Sequence, residues 1–212
     1  MSEVTINEIS GAVLHPATCI GHIISVMHSP RVILARAIIT AMIAIEQVSD
    51  LMSLSLPYII NRKMDINMLK YDLTSCINHT HNSLRDIPRY TDFAHTTGNK
   101  KDNIPMFVSD TDTYASKPSS YDIRVAFKPL SKKIEKFAMD RGWNDKYTPT
   151  TTMIAAVSEM GELAKVIEWK KTSTIVADHK PLVDELSREL ADVAIYLFHL
   201  CRIAEISDPF EA

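Results

Sequence analysis

Glycine is scarce: the 212-residue chain has five, about a third of ordinary usage. Glycine supplies tight turns and positive φ, so its scarcity argues against a many-turned β-sandwich, a Rossmann domain and a glycine-rich phosphate loop. Cysteine is also sparse. Cys19, Cys76 and Cys201 are far apart and odd in number, and no C-x-x-C spacing occurs. A disulfide framework or zinc ribbon is not expected, and free thiols in a reducing cytoplasm are. A charge excess is missing too. Twenty-three basic residues face 26 acidic ones, for a net −3. Nothing in that balance draws the chain to nucleic acid or an anionic membrane surface. The opening MSEVTINEIS has neither a cationic segment nor an apolar one, so no signal peptide is expected. The most apolar run, Val32 to Ile45, is interrupted by Arg36 and followed by Glu46. It reads as a buried helix rather than a membrane span.

What remains is a chain that is 46% hydrophobic and 23% charged, enough for a folded core. Its apolar periodicity is helical. Residues 1–20 are weakly patterned, with Pro16 and Gly21 as breaks before a helix over Ile20 to Met27. Long helical patterns follow at Val32 to Leu56, ending before Pro57, and at Asp65 to Ile87, closed by Pro88. Arg89 to Ser120 is polar and poor in aliphatics, a loop or linker of about 30 residues. From Lys128 the helical pattern returns. Gly142 ends the first of three helices, Pro149 opens the second and Pro181 the third. The expected fold is an all-α helical bundle. Its expected units are a helical segment at 1–88, a connection at 89–127 and a helical domain at 128–212. Ala41–Leu51 can be laid over Met153–Leu163, and Tyr71–Ser75 over Arg188–Asp192. That register matches Gln47, Asp50, Asp72 and Ser75 with the four acids considered next. A tandem duplication with a worn-down first copy is one reading, and chance likeness of two helical hairpins is the other.

Those four acids form two pairs. Glu159 and Glu162 are three apart on one predicted helix, and Glu189 and Asp192 three apart on the next. Three residues turn a helix by about 300°, so each pair projects from nearly one face. A loop of about ten residues makes the helices antiparallel neighbours. Either pair alone is the pattern of a solvated helix face. Here, however, both border apolar stripes: Glu159 and Glu162 lie among Val157, Met160 and Leu163, and Glu189 and Asp192 among Leu186, Leu190 and Val193. Converging carboxylates must be solvated, protonated or neutralised by a cation. Oxygen ligands without His or Cys select Mg²⁺, Mn²⁺ or Ca²⁺, and Mg²⁺ commonly takes its remaining ligands from substrate phosphates. A di-iron carboxylate bundle would need Glu-x-x-His pairs, and no His follows these acids by three.

The stretches FAMDRGWNDKY, MIAAVSEMGELAKVIEWKK and DELSRELADVAIYLFHLCRIA resemble the MazG-like all-α nucleotide pyrophosphohydrolases, most of all the dCTP pyrophosphatase branch. The resemblance covers about residues 128–206. It implies that Glu159, Glu162, Glu189 and Asp192 bind Mg²⁺, with Mn²⁺ as a substitute. The implied reaction cleaves a nucleoside triphosphate to monophosphate and pyrophosphate, with Glu159 or Glu162 activating water. It further implies substrate contacts from Phe137, Trp143, Asn144, Trp169, Lys170 and Tyr196, and a cytoplasmic homodimer in which each chain supplies two copies, a pseudo-tetramer. The first half, with fewer acids, would be a degenerate copy. A dUTP- or dGTP-directed hydrolase and a non-catalytic helical binding or assembly protein stay open as alternatives.

Overall fold

The computed structural model describes residues 4–73, 104–107, 123–143 and 147–211. Among them are six α-helices and no strand: α1 Ile6–Val26, α2 Arg31–Leu51, α3 Leu56–Lys70, α4 Ile123–Asp140, α5 Pro149–Ile167 and α6 Lys180–Ile203. The all-α expectation holds.

The first helix starts earlier than expected. Thr5 and Glu8 close a capping box: the Thr5 amide donates to the Glu8 carboxylate at 2.8 Å, and the Glu8 amide donates to the Thr5 hydroxyl at 3.4 Å. The helix then runs straight through Pro16 and Gly21. A proline inside a helix costs about 3 kcal/mol. Burial of Ile6, Ile9, Val13, Ile20 and Ile23 along one face outweighs that cost.

The second boundary also moves. Helix α2 ends at Leu51, because Ser53 takes a left-handed φ of 59° and Leu54 donates back to the Ser49 carbonyl at 3.0 Å. Pro57 then sits in the first turn of α3, so it begins a helix rather than closing one. Helix α3 stops at Lys70, well short of Ile87. Residues 74–87 lie outside the described set, as do Ser75 and most of 89–120. Tyr71 and Asp72 follow the end of α3, whereas Arg188–Asp192 sit in the middle of α6. The proposed register therefore matches a helix end to a helix interior.

The second half follows its sequence signals more closely. Helix α4 begins at Ile123, five residues before Lys128, and Gly142 at φ 65° ends its turn. Thr148 and Thr151 cap α5, with Pro149 in its first turn, and Pro181 occupies the same place in α6.

Helices α1 and α2 form one hairpin and α5 and α6 another. They stack with α1 on α5 and α2 on α6, while α3 crosses onto α6 and α4. One hydrophobic core runs through all six helices. The carbonyls of Thr172 and Thr174, in the α5–α6 connection, accept from the amides of Asn7 and Ile6 at 3.1 and 2.9 Å. The segment 104–107 is pinned across α3 and α6: Arg62 donates to the Met106 carbonyl at 3.0 Å and Arg188 to the Ile104 carbonyl at 2.8 Å. Helices α1 and α2 are long and apolar enough to cross a membrane by length and composition alone; here both give apolar faces to the shared core.

Phe127 of α4 is fully buried and stacks on Phe198 of α6 at 4.7 Å, with Phe210 edge-on at 5.8 Å. Phe127→Ala should therefore lower the unfolding free energy by about 3–5 kcal/mol. Urea denaturation followed by circular dichroism measures that loss.

Candidate active site

Helix α5 carries Glu159 and Glu162, and α6 carries Glu189 and Asp192. Carboxylate oxygens of Glu159, Glu189 and Asp192 all lie within 4.8 Å of one another. Glu162 stands one turn further along α5, exposed and outside that close group. It is still near enough for its charge to act on Glu159 and Glu189. Three of the four predicted acids are thus gathered, and the fourth flanks them.

Helix α3 adds a cation that sequence reading missed. The Lys63 ammonium sits 2.5 Å from an Asp192 carboxylate oxygen, and both side chains are only 10% exposed. Asn67, one turn further along α3, is buried beside it. Lys63, Asn67 and Tyr71 follow one another at i, i+4 and i+8. Starting that helix at Asp65 left Lys63 outside it and hid the spacing.

One lysine does not balance this cluster. Burial first, then the charges of Asp192, Glu189 and Glu162, push the Glu159 carboxyl well above the usual range, and Lys63 only partly opposes them. Burial and then Asp192 raise Glu189 to about 7. Crowded, half-buried oxygen donors without His or Cys suit a hard divalent cation such as Mg²⁺ or Mn²⁺. The residues present therefore fit the metal that their spacing implied.

Beside the acids lies an aromatic pocket. Trp143 and Phe137 are buried and meet edge to face at 5.5 Å, and Tyr71 meets Trp143 at 5.3 Å. The Arg141 guanidinium lies 3.8 Å over the Phe137 ring and donates to the Tyr71 carbonyl at 2.7 Å, tying the end of α3 to the end of α4. The pocket is walled by Phe137, Trp143, Asn67, Asp192, Tyr196 and His199, and its cavity of about 20 Å³ has room for roughly one water. Three predicted substrate contacts, Phe137, Trp143 and Tyr196, thus share a pocket with a candidate metal ligand. Trp169 does not line it: it follows the end of α5 at φ 62°, 93% exposed, with Lys170 exposed next to it. Asn144 lies outside the described residues.

Tyr147 and His199 were also missed. Their rings stack at 5.0 Å, and burial lowers the His199 pKa to about 4. The available signal was a histidine inside the apolar run Leu197–Cys201.

The chain is similar to curated dCTP pyrophosphatases 1. It is 28% identical to that of Mus musculus over 104 residues, 48% of this chain and 61% of the relative. It is 29% identical to that of Rattus norvegicus over 104 residues, 46% and 59%, and 30% identical to that of Homo sapiens over 103 residues, 43% and 57%. The chain spans about 60% of the length of these relatives. The similarity bears out the resemblance to the dCTP pyrophosphatase branch of the MazG-like proteins. No protein-family profile matches the chain, and no solved structure does.

The raised carboxylates fix the sign of a pH effect. A carboxyl held above its unfolded value of 4.5 favours the fold below that value and loses the advantage as pH rises through its folded value, about 7 for Glu189. In chelator, Tm should fall between about pH 5 and pH 8. Saturating Mg²⁺ should flatten the decline, since it binds the deprotonated acids. Scanning calorimetry with and without Mg²⁺ reads both slopes.

Proposed function

We propose that this protein hydrolyses a deoxynucleoside triphosphate to its monophosphate and pyrophosphate with the aid of Mg²⁺, with dCTP as the favoured substrate. The observation that carries the reading is the buried convergence of Glu159, Glu189 and Asp192 next to an aromatic pocket. The similarity to dCTP pyrophosphatases supports the substrate class.

Glu159, Glu189 and Asp192 would hold the divalent ion, which would supply positive charge to offset the charge that builds on the leaving pyrophosphate. Lys63, released from Asp192, is placed to receive phosphate charge. Glu162, outside the close cluster, is left to orient a water and accept its proton. Trp143 and Phe137 offer faces and edges for a base, and side chains around the small pocket must move to admit one.

Glu162→Gln should lower pyrophosphate release by roughly 10²- to 10⁴-fold while the helical circular dichroism spectrum stays unchanged. The assay is a panel of canonical and deaminated nucleoside triphosphates with product identification by ion-exchange chromatography. A wild type that turns over none of them would sink the proposal.

The chain also pairs with a second copy in this reading. Exposed Leu14 of α1 and Ile154 of α5, on two helices that pack together, supply apolar surface for it. Sedimentation equilibrium should give twice the chain mass, and a monomer at micromolar concentration would remove the dimer.

A further inference from the structure

Segment 104–107 spends charged side chains on its own backbone. The Ile104 carbonyl accepts from Arg188 of α6 at 2.8 Å, and the Pro105 and Met106 carbonyls accept from Arg62 of α3 at 2.9 and 3.0 Å. The Met106 amide donates to the Asp184 carboxylate. Met106 and Phe107 are fully buried, and Phe107 stacks on Tyr58 at 6.3 Å. Asp184 also accepts from Arg188, at 2.9 Å. The Arg188 guanidinium is therefore fixed through Nη2 by a backbone carbonyl and a carboxylate together. Among the described residues nothing accepts from its Nε or Nη1, and neither atom is sealed from water.

The place of Arg188 along α6 gives that fixed cation a use. Asp184, Arg188, Asp192 and Tyr196 follow one another at four-residue steps, so they share one side of the helix at about 6 Å per step. Asp192 belongs to the acid cluster and Tyr196 to the aromatic pocket. Arg188 thus stands one turn beyond the acids, on the side away from the pocket. Its charge acts on Glu189, a member of the cluster. Two steps separate Tyr196 from Arg188, about 12 Å along the helix, a span that an extended nucleoside triphosphate covers.

We propose that Arg188, held in place by segment 104–107 and Asp184, seats the terminal phosphate of the substrate and so selects a triphosphate over a diphosphate. The inference rests on the nucleotide-hydrolase reading above and adds the residue that measures the phosphate chain. With the base in the aromatic pocket and the inner phosphates beside the acids, the outer end of the chain runs toward Arg188. Its uncommitted N–H groups match phosphate oxygens in charge and geometry. A guanidinium already anchored loses less freedom on binding than a loose one. Asp184 balances part of its charge and turns the rest of the fork toward the groove. A diphosphate with its base in the same pocket ends short of this contact. The leaving pyrophosphate keeps it.

The test measures kcat/KM for the favoured triphosphate, and Ki for its diphosphate as a competitor, in wild type, Arg188→Met and Arg188→Lys. Arg188→Met should lower kcat/KM by about 10- to 100-fold and leave the diphosphate Ki unchanged, with Arg188→Lys in between. A folded Arg188→Met with wild-type kcat/KM, or one that weakens the diphosphate equally, would overturn the inference and leave the hydrolase reading standing. A second measurement covers variants that fail to fold. In wild-type protein labelled with ¹⁵N-arginine, pyrophosphate added with Mg²⁺ should shift the Arg188 Nε resonance; no shift overturns the inference. A pyrophosphate shift without turnover of any triphosphate would support the phosphate seat and defeat the hydrolase reading.

Discussion

The mutual repulsion of buried acids is the constraint around which this molecule is arranged. Glu159, Glu189 and Asp192 crowd into a space that water reaches poorly, and a single ammonium, Lys63, stands against them. Such a grouping is a burden to the folded state unless something positively charged shares it. The raised carboxyl pKa values express that burden directly. A chain that keeps the cluster while placing Leu186, Leu190, Leu163 and Met160 around it has the electrostatics of a site that draws in cations.

The halves of the chain do not act separately on this site. The acids come from α5 and α6, but their counter-charge comes from α3, and the aromatic wall draws on Tyr71 after α3 and on Phe137 and Trp143 around the end of α4. Arg141 ties those two segments together through the Tyr71 carbonyl. The continuous core lets the first half position Lys63 and Asn67 while α5 and α6 carry the carboxylates.

Much of this was legible from sequence because helical periodicity and carboxylate spacing are local signals. The paired acids on α5 and α6 needed only a count of residues per turn, and Gly142, Pro149 and Pro181 mark their boundaries in the usual way. Where reading failed, proline was ambiguous. Pro16 reads as a break but lies inside α1, since its neighbours bury enough apolar surface to keep the helix whole. Pro57 reads as a stop but begins α3, and Lys63 lies in the part of that helix ahead of the expected start at Asp65. Trp169, a substrate contact that the resemblance implies, stands in solvent, because exposure depends on tertiary packing that a sequence motif cannot report. His199 lies inside the apolar run Leu197–Cys201, and only the fold shows what surrounds it.

The loop of a helical hairpin is ordinarily its loosest point. Here backbone hydrogen bonds from Ile6 and Asn7 to Thr174 and Thr172, together with one from Val176 to Val4 at 2.8 Å, lash the α5–α6 loop to the start of α1. A hairpin laced shut at that end resists splaying. Exchange of an ion held by the acids would then fall to rotation of individual carboxylates, a faster and smaller motion than parting two helices.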